Sequence, residues 1–214
     1  MKLSSVIKAM SIFAFSIVFL GACAPKKNAG VGIFEGASDV GNVKLTGNIV
    51  YDASTKTYTI TGGGINVWHT FDQFFYAWNS VKGDFAMSAK VAFEGKGVES
   101  HRKTGIMIRE TLTGESRTVH VTFHGDGLTS LQYRTETGGI TEEIKGPPNG
   151  NYLFLEKVGN KIRMKTATDT FPQEVTGEIE MEFPENVYLG LYVCSRNTCV
   201  LETAHFTDIE FKKL

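Results

Sequence analysis

Five residues in the stretch HRKTGIMIRETLTGESRTVHVTFHGDGLTSLQYR (101–134) have the chemistry of a recognition surface: Arg109, His120, His124, Gln132 and Arg134. The two guanidinium groups present planar forks of donors that match carboxylates or sulfates, and Gln132 and the imidazoles can exchange hydrogen bonds with hydroxyls. Trp68, Trp78, Tyr76 and Tyr192 add flat, largely apolar rings against which a sugar ring can stack. Together these groups suit a polyhydroxylated ligand. The competing assignments are a solvated face for the arginines and core positions for Trp68 and Trp78.

The elements that must position them are strands. Ile106 and Ile108 alternate with Met107 and Arg109; Val119, Val121 and Phe123 alternate with His120, Thr122 and His124; Leu131 and Tyr133 alternate with Gln132 and Arg134. Successive side chains of a strand point to opposite faces of its sheet. If the three runs share one sheet, its inner face is aliphatic and its outer face collects the five polar groups. Similar runs recur at 57–61, 74–81, 85–93, 152–158, 161–166, 179–183, 187–194 and 204–211, separated by Gly, Asn, Asp and Pro. Gly159-Asn160 reads as a tight hairpin and Pro147-Pro148-Asn149-Gly150 as a loop. With neither helical periodicity after the first residues nor tandem repeats, the pattern predicts an all-β, two-sheet antiparallel sandwich of jelly-roll type.

The N-terminus has a separate role. Lys2 and Lys8 precede an apolar run, 9–20, too short to span a bilayer comfortably, which ends in Leu20-Gly21-Ala22-Cys23. A basic start, a short apolar stretch and small residues describe a secretory signal. The ending resembles a bacterial lipobox, which implies lipidation of Cys23. The expected organisation is a lipoprotein signal peptide over 1–22, a lipidated cysteine and tether over 23–32, and one β-sandwich domain over 33–214. Acyl chains hold a protein to a membrane because each buried methylene contributes about 0.8 kcal/mol. The expected location is the cell envelope, at the periplasmic side of the outer membrane rather than the cell surface. The net charge of the whole chain is −1, and loss of Lys2 and Lys8 takes it to −3. A balance so close to neutral gives no footprint for nucleic acid.

Cys194 and Cys199 bracket a polar Ser195-Arg196-Asn197-Thr198 turn. They could close a small disulfide in an oxidising compartment, or Cys194 could stand free on the outer face with Tyr188 and Tyr192. His120 and His124 lie some 13 Å apart along a strand, too far to share one metal, and the sequence has no HExxH, CxxC pair or His-rich tract. No cofactor is expected. Asp39 or Asp208 could contribute to a structural calcium, without a calcium-loop motif to support it.

The segments IFEGASDVGNV (33–43), GDFAMSAKVAFEGKG (83–97), HRKTGIMIRE (101–110), HGDGLTSLQYR (124–134) and YLGLYVCSRN (188–197) resemble the concanavalin A-like lectin/glucanase domain related to DUF1349, found in secreted bacterial proteins labelled TolB-like. The likeness covers essentially the whole domain and implies a sandwich with one concave sheet that holds sugars. Glu178-Ile179-Glu180-Met181-Glu182 resembles the acidic strand of laminarinase-type glucanases, with Glu178 and Glu180 on one face about 6–7 Å apart. The middle carboxylate of that motif is an Asp, however, and its flanking aromatics are missing here. The segment reads equally well as a charged edge strand. The resulting expectation is an envelope-anchored glycan binder using Arg109, His120, His124, Gln132, Arg134, Trp68, Trp78 and Tyr192. A glycan hydrolase and a non-catalytic protein-interaction module are the alternatives.

Overall fold

A computed structural model of the chain describes residues 30–214; the expected signal segment, Cys23 and residues 24–29 of the expected tether lie outside the described residues. The strands are β1 (Gly36–Val40), β2 (Asn48–Asp52), β3 (Thr57–Gly62), β4 (Val67–Trp68), β5 (Phe71–Asp72), β6 (Phe74–Lys82), β7 (Phe85–Phe93) and β8 (Lys103–Arg109). They continue as β9 (Thr118–His124), β10 (Thr129–Arg134), β11 (Glu142–Lys145), β12 (Tyr152–Val158), β13 (Lys161–Ala167), β14 (Gly177–Glu180), β15 (Asn186–Cys194) and β16 (Glu202–Lys213). A front sheet runs in the order β1-β6-β15-β8-β9-β10-β11 and a back sheet in the order β14-β13-β12-β7-β16-β3-β2. Strands β4 and β5 form a separate two-stranded hairpin.

The alternating residues meet between the two sheets. Phe75, Ala77, Ile106, Ile108, Val119, Val121, Leu131, Leu189, Leu191 and Val193 of the front sheet pack with Ile60, Phe85, Met87, Ala89, Leu153, Leu155, Ile162, Met164 and Phe206 of the back sheet. Each fully buried Val, Leu, Ile or Phe side chain stabilises such a core by roughly 1.5–3 kcal/mol. Leu191 lies in the middle of the front sheet, paired with Ala77 on one side and Ile106 on the other; truncating a fully buried Leu to Ala costs about 2–5 kcal/mol.

Local sequence explains the strand joints. Val158 pairs with Lys161 across a two-residue turn, with Gly159 at φ 57° as a tight hairpin requires. Between Thr207 and Glu210 the pairing of β16 with β7 shifts register, and Asp208 takes φ 50° at that irregularity. At the back-sheet edge, β14 carries Glu178 and Glu180. The pairing of Leu131 with Val121 and of Ile106 with Val121 fixes which parity faces the core. A one-residue slip would exchange every side chain between faces, so this register is what delivers the polar set to the outside.

Candidate functional site

Register gathers the polar parities of the front sheet on its outer face. Lys103 pairs with His124, Met107 with His120, His120 with Gln132, and Gln132 with Glu143. From the other side, Tyr76 pairs with Tyr192, which pairs with Gly105. The convergence expected of Arg109, His120, His124, Gln132 and Arg134 is therefore present. What covers them differs along the sheet.

Over one half lies the β4–β5 hairpin. Val67 and Asp72 are register partners on it and both are buried. Val67 joins a second apolar cluster, outside the main core, in which Val40, Val67, Phe74, Tyr76, Trp78, Met107, Tyr192 and Cys194 pack together. Asp72 is held between two arginines. Its Oδ2 accepts from Arg109 Nη1 at 2.7 Å and Arg134 Nη1 at 2.9 Å, and its Oδ1 accepts from Arg134 Nη2 at 2.7 Å. Arg134 also donates to the carbonyls of His69 and Ser116 and to Thr141 Oγ1, and Arg109 to the carbonyl of Thr113. All three charged groups are fully buried. Burial pulls Arg109 below its ordinary value, and the Asp72 carboxylate opposes that shift.

Beside this plug the face opens into a cleft of about 230 Å³. Half-buried Trp68, on the outer side of the hairpin, forms one wall, and Lys103 Nζ sits 5.0 Å from the centre of its ring. Lys103, Gln132 and His124 contribute to the sheet side, Glu143 and Lys145 come from β11, and Asn66, His101, Leu128 and Arg196 complete the rim. Gln132 organises the floor: its Oε1 accepts from Lys103 Nζ at 3.0 Å and pairs with His120 Nε2 at 3.1 Å, while its Nε2 donates to Ser130 Oγ and Glu143 Oε1. Burial, reinforced by Lys103, pushes the His124 imidazole down to about 4. Its Nδ1 lies 3.0 Å from the carbonyl of Leu128, and with that nitrogen protonated and donating the ring is neutral around pH 7. His120 is lowered by the same causes, burial first.

Of the residues expected to touch ligand, Trp68, His124 and Gln132 line the cleft. Several others need correction. Arg109 and Arg134 are fully buried, with their donors committed to Asp72 and to loop carbonyls. Trp78 is buried, edge-on to Tyr188 at 4.9 Å, because the second apolar cluster needs its ring. Tyr192 is fully buried and its hydroxyl lies 2.7 Å from Thr122 Oγ1. His120 is fully buried beneath Gln132 and Tyr192. Each of these lies on the anticipated face and is covered there.

Lys103 shares the parity of Arg109 and was legible from the same alternation. Glu143 and Lys145 sit on a short polar strand, and Arg196 on a loop, where periodicity says nothing.

The cysteines are both free. Cys194 is buried, its thiol pushed up to about 11 by burial, and its Sγ lies 3.7 Å from the carbonyl of Gly64. Cys199 is exposed beside Lys44 Nζ at 3.3 Å. The disulfide is replaced by two thiols in different surroundings. Glu178 lies at the edge of the back sheet, away from the cleft, and pairs with Arg163 at 2.7 Å and Lys161 at 3.3 Å. Asp39 accepts from the backbone of Gly47, and among the described residues no group of three His, Cys, Asp or Glu could hold a metal.

No protein-family model matches the chain, and no curated protein sequence does. Solved structures do resemble it. A carbohydrate-binding module, CBM66 from Bacillus subtilis, superposes with a TM-score of 0.54 at 14% identity, over 86% of this chain and 100% of that one. Lectin II from Ulex europaeus gives 0.51 at 9% identity, over 78% and 90% of the two chains. The alginate lyase AlgAT5 of polysaccharide lyase family 7 gives 0.50 at 7% identity, over 78% and 82%. At these identities the likeness is one of fold, and the fold is the concanavalin A-like jelly roll.

Proposed function

We propose that this chain binds a carbohydrate or similar polyhydroxylated ligand in the cleft beside the β4–β5 hairpin. The observation that carries the proposal is the cleft itself: a half-buried indole, Trp68, stands over hydrogen-bonding groups fixed by a buried network centred on Gln132. Sugar recognition needs one flat apolar wall and several polar groups held at fixed positions. Here both are built on strands, so little ordering remains to be done on binding. The fold is shared with a carbohydrate-binding module and a lectin, which supports a glycan ligand, and with an alginate lyase, so the fold alone does not separate binding from catalysis. A hydrolase of the two-carboxylate kind needs a pair across the cleft. The lining offers one carboxylate, Glu143, which favours a binder.

We further propose that the domain is tethered to the cell envelope through a lipidated Cys23, on the strength of Leu20-Gly21-Ala22-Cys23. Metabolic labelling with a fatty acid should mark the wild type and not Cys23→Ser.

The test of the binding reading is a glycan-array screen of the purified chain beside Trp68→Ala. Binding to a defined class of glycan, weakened in the variant, is the expected result. If the well-folded wild type binds no glycan, the reading fails and a protein-interaction module takes its place.

A further inference from the structure

Three cationic side chains, Lys103, Lys145 and Arg196, stand round the cleft against one carboxylate, Glu143. We propose that the glycan held there is acidic, its carboxylate or sulfate ester lying among these cations and its ring against Trp68. This rests on the carbohydrate reading above.

Lys103 is the main reason. Its side chain is 4% exposed, yet its ammonium donates only to neutral acceptors, Val67 O at 2.8 Å and Gln132 Oε1 at 3.0 Å. An ammonium has three N–H groups, so one remains for a ligand. A buried cation without a counter-charge is unfavourable. The cost is visible in its acidity: burial holds Lys103 down at about 8, and Arg196 adds repulsion. An anion in the cleft would supply what the protein leaves out. Glu143 and Asp72 offset that burial only in part, and neither forms an ion pair with Lys103; Glu143 Oε1 accepts instead from Gln132 Nε2 at 2.9 Å.

The other two cations meet no carboxylate, a property several lysines elsewhere share, whereas the other arginines, Arg102, Arg109, Arg117, Arg134 and Arg163, all meet one. Lys82, Lys90, Lys161 and Lys212 each meet a carboxylate. Lys145 and Arg196 form no side-chain hydrogen bond or ion pair with any described residue, and both border the cleft. The backbone of Arg196 is set by a built turn. It takes φ 58°, an uncommon conformation for a residue other than Gly, and the buried Ser195 hydroxyl bonds the backbone of Asn197 on its far side. Guanidinium and ammonium groups bind carboxylate and sulfate oxygens through charge-assisted hydrogen bonds. A cleft of about 230 Å³ falls below the ~300–1,000 Å³ typical of sites for drug-sized ligands, so it accepts one acidic ring or chain end.

The test uses the purified full chain on uronate-bearing and sulfated oligosaccharides of gluco, galacto and manno configuration, each beside its uncharged parent. The expected result is a preference of about tenfold or more for an acidic glycan over its parent, falling as NaCl is raised from about 0.05 to about 0.5 M. Lys145→Gln/Arg196→Gln, in which Lys103 alone remains, should lose most of the preference while melting like the wild type, with the two single variants intermediate. Binding of uronates or of sulfates alone identifies which anion the cleft takes. Equal binding of charged and uncharged members overturns the acidic inference and leaves the carbohydrate reading standing. Undiminished preference in the double variant and both singles overturns the assignment to this cleft. A folded wild type that binds nothing on the panel overturns both.

Discussion

On one half of the front sheet's outer face, Arg109 and Arg134 close on Asp72 and neither guanidinium reaches solvent. On the other half, Lys103 keeps its charge with neutral acceptors only, and Lys145 and Arg196 border an open cleft. The two halves share strands, parity and residue types. They differ in whether the chain supplies a counter-charge from above. The hairpin brings Asp72 down onto the arginines and so converts them into its own anchor. Trp68, one residue along β4 from Val67, points away from that anchor and becomes a wall of the neighbouring cleft. A cation on a sheet is thus structural or available according to the loop that passes over it, and residue type alone does not say which.

The sharpest way to break this contrast is Asp72→Ala. Removing the carboxylate leaves two buried guanidinium groups uncompensated, and breaking a buried pair in this way costs about 3–5 kcal/mol. For a domain of this size that lowers Tm by about 6–20 °C, read by calorimetry. The Lys145→Gln/Arg196→Gln variant should instead melt within about 0.5 kcal/mol of the wild type, as surface substitutions do. If the two behave alike, the distinction between plug and cleft is wrong.

Acid should reach the buried histidines next. The folded-state value of His124 is about 4 against an ordinary 6.5. Above pH 6.5 neither state is protonated and the stability is fully present. As the pH falls from 6.5 toward 4 the unfolded chain takes up a proton that the folded chain does not, and stability is lost by about 3 kcal/mol. His120 adds a loss of the same sign. Melting curves of His124→Asn, whose amide can still donate to the carbonyl of Leu128, should show a flatter profile across that window. A profile as steep as the wild type's would place the effect elsewhere.

Trp68→Ala sharpens the comparison from the open side. The indole is half-buried and belongs to neither apolar cluster, so its loss should change stability little. Affinity for the ligand should fall about tenfold to hundredfold, since an aromatic anchor contributes both buried area and stacking. Isothermal titration beside calorimetry separates the two quantities. A large drop in Tm would move Trp68 to the plug.

Much of this architecture was legible in the sequence, because alternation is a local signal. The runs at 85–93, 118–124 and 152–158 are strands over those residues, and the parity of Arg109, His120, Gln132 and Arg134 is the parity observed. Burial of that parity was not legible. It depends on Asp72, in a two-residue strand after a turn, meeting residues 37 and 62 positions away. Nor does alternation reveal Glu143 and Lys145 on Glu142–Lys145, where three of four residues are charged and only pairing with β10 makes a strand. Long-range pairing and counter-charge are properties of the folded chain, and the site is made of both.

The smallest effect concerns the two thiols, which fall on opposite sides of the same divide. Cys194 is packed into the plug's apolar cluster, and burial keeps its thiol protonated at neutral pH. Cys199 is exposed, and Lys44 with Thr198 lowers its value from that of an ordinary thiol. The thiolate is the nucleophile in alkylation, so brief iodoacetamide treatment of the native protein followed by peptide mapping should mark Cys199 and spare Cys194. Cys199→Ser should then shift stability by less than about 0.5 kcal/mol, the range of a surface exchange. Had the two been joined, neither would be alkylated without reductant, and losing the bridge would cost about 2 kcal/mol or more. Burial that silences Cys194 is the same burial that hides Arg109 and Arg134, so labelling of Cys194 in Asp72→Ala would report directly that the hairpin has lifted.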